Sequence, residues 1–347
     1  MRVQRAAGNR AAVQVATTSR RPAEAANPLG RTAAYDRRIQ RQAIPAEADT
    51  TSSEGEKPAA YVPTEDDKKE FKLLPRNIKN AKGEAIGTVE EYVEYRHSYF
   101  GSAEAYETAK TTADAEFDKM KKSVWSKIGQ KESKAAKRVL YRWLRKAYID
   151  AGLADPVSVI KSGMTADLKK KLGEVKKKHA DLKTGGFVAR PKKLKGYKLG
   201  TVSEHGTGNA VDVTPQSRNP HFNNKEWKFI LKFTSKTVDR SAKRWKKDPA
   251  DVWRDIHDLN DAYVTELKVK VDAVKAERKK AGKPEDEPAA YRSVLKGQRT
   301  LIETAQKYGI SHGFFDLDEN LVVDFGKAGF TWGATFTNSV DLHHFEV

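Results

Sequence analysis

Apolar positions recur at helical spacing through the middle of the chain and lose that period toward both ends. Between about residues 70 and 162, Val89, Tyr92, Val93 and Tyr95 open one amphipathic stretch. A longer one over 102–125 places Phe117, Met120, Val124 and Trp125 near a 3.6-residue period. A third, over 133–151, sets Val139, Leu140, Trp143, Leu144, Ala147 and Tyr148 on one face and stops at Gly152. Aromatic residues so spaced predict a packed helical core rather than a binding surface. Residues 185–191 and 197–213 mix β-branched and turn residues, which predicts strands and loops. A lysine-rich helical stretch follows over about 224–283, then a helix over 291–308 stopped by Gly309. From Ile310 onward, apolar and turn residues alternate and predict strands and loops.

Composition narrows the chemistry. The 347 residues carry 65 Lys+Arg against 47 Asp+Glu, a net charge of +18. Such a field attracts nucleic acid, anionic lipid or bacterial wall polymer without choosing among them. The absence of cysteine excludes disulfides, cysteine-ligated zinc, iron–sulfur clusters and thiol nucleophiles. Any metal must therefore rest on histidine and carboxylate. No apolar run approaches the roughly 18 residues of a membrane span. Residues 1–56 carry arginine but no lysine, and the segment to about 65 has too little apolar surface to offset its ordering entropy. Residues 1–65 are therefore expected to be a disordered basic leader or linker. They lack the apolar stretch of a secretory signal, although an arginine-rich start also fits a mitochondrial transit peptide.

Two segments concentrate chemistry. The first runs Ser203-Glu204-His205-Gly206-Thr207-Gly208-Asn209-Ala210-Val211-Asp212-Val213, and the second is Asp341-Leu342-His343-His344-Phe345-Glu346-Val347. His205 and Asp212 are seven apart, not on the i, i+4 spacing of a helical zinc site, and Gly206 and Gly208 allow a turn to join them. Val211 and Val213 would point away from Asp212 in a strand and give the carboxylate a rigid support. With His344 as third ligand, two histidines and one carboxylate leave the fourth position of a catalytic Zn2+ open to water. Asp341, three residues before His344, is the candidate base for that water. Arg190, leading into the first motif, is the candidate electrophile for a developing oxyanion.

Ser203-x-His205-x-x-Gly208-x-Ala210-x-Asp212 resembles the signature of the zinc peptidases that include D-alanyl-D-alanine carboxypeptidases and L-alanyl-D-glutamate peptidases. Gly329-Phe330-Thr331-Trp332-Gly333 followed by Asp341-x-x-His344-Phe345-Glu346 resembles the close of the endolysin-like branch, and Gly185-Gly186-Phe187-x-x-Arg190 its arginine segment. The resemblance covers roughly 182–215 and 305–347. It implies an α+β fold: a small antiparallel-sheet zinc peptidase domain over 166–347 with a helical insertion at about 219–290. A helical region over 66–165 and the leader precede it. It also implies that His205, Asp212 and His344 bind zinc, that Asp341 is the general base, and that Arg190 steadies the scissile carbonyl. Ser203, Trp332 and Glu346 are then candidate substrate contacts or ligand-orienting groups. His343, beside the presumed ligand, is left either to compete for the metal or to sit in the substrate cleft.

The implied activity is hydrolysis of an amide bond in peptidoglycan stem peptides, by an L-Ala–D-Glu endopeptidase or a D-Ala–D-Ala carboxypeptidase. The insertion is longer than in the endolysin-like enzymes, and is expected to restrict the cleft, bind anionic wall polymer, or form an excursion. Val3-Gln4-Arg5-Ala6-Ala7-Gly8-Asn9-Arg10-Ala11 resembles a motif near the start of contractile-injection-system cargo. The expected setting is a cytoplasmic protein until released by phage lysis or injected, then acting on the wall. A rival reading is a non-catalytic binding module on the same zinc fold, as in hedgehog signalling domains; Asp341, a usable base, weighs against it. Nucleic-acid binding rests on charge alone, without interleaved aromatic and basic residues or a recognition helix.

Overall fold

The structure, a computed structural model, describes residues 61–153, 155–193, 196–213 and 219–347. The leader expected over 1–65 lies outside them but for its last five residues. The described chain opens with seven helices: α1 (Glu65–Leu73), α2 (Val89–Phe100), α3 (Ala103–Lys119), α4 (Lys122–Trp125), α5 (Lys134–Asp150), α6 (Pro156–Ser162) and α7 (Ala166–Lys178). The face expected of α5 is the buried one, with Val139, Leu140, Trp143, Leu144, Ala147 and Tyr148 all in the core. Ser133 caps its first turn by accepting from Ala136 N–H, as Ser102 does for α3. The stretch expected over 102–125 is two helices, because the backbone turns extended at Met120.

Charge is buried inside this helical core. The Glu70 carboxylate accepts from Tyr92 Oη, Tyr106 Oη and Arg142 Nη1, while Arg96 Nη2 donates to Asp67 at 2.7 Å. Arg142 also forks onto Asp114 at 2.9 and 2.8 Å. Both guanidinium groups are paired with carboxylates, which is what makes a buried ion cluster tolerable, although Arg96 Nε makes no hydrogen bond among the described residues.

Short strands then alternate with helices. They are β1 (Thr184–Gly185), β2 (Lys192–Lys193), β3 (Tyr197–Lys198), α8 (Glu204–Thr207), β4 (Ala210–Val213) and β5 (His221–Asn223). Next come α9 (Asn224–Thr234), α10 (Ala242–Lys247), α11 (Pro249–Lys280), α12 (Glu287–Leu295), α13 (Arg299–Tyr308) and α14 (Glu319–Lys327). The chain closes with β6 (Thr331–Trp332), β7 (Ser339–Asp341) and β8 (His344–Glu346). The mixture is α+β, with a four-stranded sheet in the order β1-β4-β8-β6 and the two-stranded pairs β2-β3 and β5-β7. The strand pairs within all three are antiparallel.

Several elements depart from the expected pattern. The single helix expected over 291–308 is α12 and α13, broken where Lys296 and Gly297 take φ of +46° and +76°. The stretch over 224–283 is three helices, interrupted at Ser235 with φ +54° and restarted at Pro249, where proline suits the first helical turn. Helix α14 falls where strands and loops were expected, and α7 lies in a stretch for which the pattern predicted no element. No helix among the described residues is long and apolar enough to cross a membrane.

The insertion forms the back of the sheet. Val252, Ile256, Leu259 and Tyr263 of α11 share one apolar cluster with Val211, Val213, Trp332 and Phe345 of the sheet. Trp245 of α10 packs 5.6 Å from Trp332 and donates from Nε1 to Phe330 O at 2.8 Å. The helical region has its own cluster, which reaches into Ala189, Tyr197 and Leu199. Tyr148 Oη donates to Gly206 O, and Gly129 N–H to Ala189 O at 2.8 Å. The N-terminal helices thus hold the segments carrying Arg190 and His205.

Glu70→Gln should expose how much the buried cluster matters. It leaves Arg96 and Arg142 with too little counter-charge, so denaturant unfolding should register a loss of about 3–5 kcal/mol. A loss under about 1 kcal/mol would mean that water reaches the cluster.

Candidate metal centre and its cleft

Register across one strand pair builds the site. β4 and β8 pair with Asp212 opposite His344, Val211 opposite Phe345, and Ala210 opposite Glu346. Alternation then sends Asp212, His344 and Glu346 to one face, and Val211 and Phe345 to the other, where both are buried. His205 arrives from α8, a single turn that Ser203 caps by accepting from Gly206 N–H at 3.1 Å.

Three donor atoms converge there. His205 Nε2 lies 3.0 Å from Asp212 Oδ1 and 3.0 Å from His344 Nδ1, and His344 Nδ1 lies 3.4 Å from Asp212 Oδ1. His205, Asp212 and His344 form a group that could hold a metal ion. The distances suit one: metal–ligand bonds of about 2.0–2.1 Å in a tetrahedron put ligand atoms about 3.3 Å apart. Asp212 Oδ1 is buried and makes no hydrogen bond of normal geometry, so it is aimed at the other two donors without being satisfied by them. His344 Nε2 sits 3.1 Å from Glu346 Oε2. A proton held on Nε2 by that carboxylate keeps the Nδ1 lone pair turned to the centre.

The same crowding perturbs the titrations. Burial pushes Asp212 up, but the His205 and His344 imidazoles beside it outweigh burial and hold the carboxyl far below its usual range. Burial pulls His344 down, yet the adjacent Asp212 and Glu346 carboxylates, with the charge of Asp341, raise it to about 9.

A cleft of about 860 Å³ opens over the group. It is lined by Arg190, Ser203, His205, Asp212, Asp341, His343, His344 and Glu346, eight of the nine residues singled out from the sequence. Arg190 Nε and Asp341 Oδ1 are buried and have no hydrogen-bond partner among the described residues. His343 stands beside the metal-binding group rather than in it: Nδ1 meets Asn219 O and lies 3.3 Å from Asp341 Oδ1, and Nε2 is 3.8 Å from Asp212 Oδ1. Trp332 is not in the cleft. It is fully buried on the opposite face, its ring parallel to Phe345 at 6.1 Å and its Nε1 donating to Leu342 O at 2.9 Å. β6 pairs Trp332 with Phe345, so the alternation that aims His344 into the cleft aims Trp332 into the core.

Some of the lining was not anticipated. Gln130 comes from the helical region, and Phe336, Thr337, Asn338 and Ser339 form the rim before Asp341. Arg240 Nη1 donates to Ala334 O and Phe336 O, so the insertion pins that rim. Nothing in the spacing of Gln130 or Arg240 marks them, because they meet the site only through tertiary packing. Gly186, which the sequence offered only as part of the arginine segment, takes φ +107°, and a Cβ there would fall 2.7 Å from His205 Cε1 and 2.9 Å from Asp212 Oδ2.

The chain matches no protein-family model, and comparison with curated proteins and with solved structures finds no match either.

Two outcomes follow from this geometry. Gly186→Ala should weaken metal binding at least about tenfold by displacing the imidazole or the carboxylate, the size of effect seen when a ligand's orientation is lost; competition with a chromophoric chelator measures it. Metal uptake should also depend on pH. The metal-free protein holds a proton on His344 below about 9, and a metal at Nδ1 needs the neutral ring. Apparent affinity should therefore rise about tenfold per pH unit from 6 and level off near 9, whereas a flat profile would mean that His344 is not a ligand.

Proposed function

We propose that the cleft is the active centre of a zinc-dependent peptidase that hydrolyses an amide bond in peptidoglycan stem peptides, L-Ala–D-Glu or D-Ala–D-Ala. The observation that carries this reading is the convergence of His205, Asp212 and His344 beside Arg190 and Asp341, whose buried Oδ1 makes no hydrogen bond, all in one cleft. The motifs around these residues resemble those of the zinc peptidases, and two imidazoles with one carboxylate suit zinc. A bound zinc ion would supply Lewis acidity toward a carbonyl and lower the pKa of water.

The chain's own groups do the rest. Asp341 Oδ1, buried and free of hydrogen bonds, accepts the proton of the attacking water and then returns it to the leaving amine. Arg190 directs positive charge at the carbonyl oxygen as it gains negative charge. Glu346 orients His344 through Nε2, and Ser203 acts by capping the turn that carries His205. The setting we propose is a wall lysin or a delivered effector. Its support is the basic charge and the resemblance over residues 3–11, which lie outside the described residues.

Asp341→Asn tests the reading. The variant should keep about one zinc per chain and lose about 10²–10⁴-fold in release of stem fragments. Mass spectrometry of wild-type products then names the bond. Zinc-loaded wild type that binds wall material yet releases no fragments would make the fold a binding module instead.

A further inference from the structure

Basic side chains continue the cleft wall outward from Arg190. Arg190 and Lys192 are two residues apart along extended chain, so they share a face, and both line the cleft. β2 pairs with β3 so that Lys192 stands opposite Lys198. Lys79 bridges Lys198 on its other side, with Lys79 N–H donating to Tyr197 O and Leu199 N–H to Lys79 O, both at 2.8 Å. Residues paired across strands lie on one face, so the three lysines form a row about 10 Å long. Tyr197, the intervening residue of β3, faces the other way into the core and donates to Glu132.

The row is uncompensated. Among the described residues none of the three ammonium groups has an ion-pair or hydrogen-bond partner. Like charges directly opposite one another destabilise a sheet. Other lysines of this protein do find carboxylates, as Lys110 does with Glu107 and Lys275 with Glu287. The metal end of the same cleft has the opposite sign, lined by Glu204, Asp212, Asp341 and Glu346.

We propose that the Lys192–Lys198–Lys79 row is a subsite for the free carboxylates of an acidic peptide, held so that one of its amide bonds reaches the His205–Asp212–His344 group. The position of the cut bond rests on the peptidase reading; carboxylate selection by the row does not. A 10 Å row spans about three extended residues, so a peptide with carboxylates two residues apart, on one face of the extended chain, meets two lysines at once. A nucleic acid fits less well. Its charge continues along the whole strand, and the carboxylates at the metal end would repel it.

The test uses zinc-loaded Asp341→Asn protein, so that cleavage does not consume the ligand. A synthetic stem-type peptide carrying a neutral fluorophore is titrated by anisotropy, once with free carboxylates and once with the same carboxylates amidated. The free-acid form should bind about tenfold more tightly at low salt, and the advantage should shrink as salt screens it. Adding Lys192→Met and Lys198→Met should remove most of that advantage, while the thermal melt, relieved of two opposed like charges, does not fall. If that variant folds poorly, exposed Lys192→Gln alone should still cut the advantage by about threefold. Equal affinities for the two peptides in the parent protein, or an advantage that survives the substitutions, would overturn the proposal. So would tighter binding of single-stranded DNA of equal charge. Failure of the peptidase reading is read separately, as wild-type protein that releases no stem fragments while the carboxylate preference persists.

Discussion

Asp212 and His344 face each other across the β4–β8 pair, and the rest of the site follows from that register. Because side chains alternate along a strand, the pairing that brings these two donors together also drives Val211 and Phe345 into the core. A slip of one residue would exchange the faces, burying a carboxylate and exposing Phe345. Burial of the apolar set therefore locks the polar set in place. Only His205 comes from outside the strand pair, and a capped single turn delivers it.

Neither face of this sheet stands alone. Behind it, α10 and α11 supply Trp245, Ile256 and Tyr263 to the cluster that holds Phe345 and Trp332. In front, the N-terminal helices fix the segment around Arg190 and, through Tyr148, the turn around His205. Residues that read as an insertion and as a separate helical region in the sequence are thus the walls against which the centre is built. Arg240 extends the same logic to the rim, where its guanidinium bridges two backbone carbonyls.

What could be read from the sequence depended on how local its cause was. The apolar face of α5 was legible because a 3.6-residue period is a property of the helix itself. The α+β mixture was expected from the resemblance, and the change of period near residue 185 pointed only to a shift from helices to strands and loops. The break at Lys296–Gly297 was not legible, since a lysine gives no local sign of adopting positive φ. Helix α14 was hidden by its short length and internal Gly326. At the site, His205, Asp212, Asp341 and His344 stood out because their spacing repeats a chemical requirement. Trp332 carried the same motif-borne signal yet belongs to the core, because a motif preserves residues for packing as readily as for chemistry. Gln130, Arg240 and the Lys79–Lys198 pairing come from parts of the chain that meet only in three dimensions.

The ring nitrogens of His205 and His344 meet although the two residues lie 139 positions apart in the chain. Closing so long a loop costs entropy that local contacts cannot offset, and pairings between distant segments form slowly. The donors can therefore gather only once β8 has been brought back beside β4. A metal ion arriving earlier would meet scattered single ligands, so capture would report that the sheet had closed.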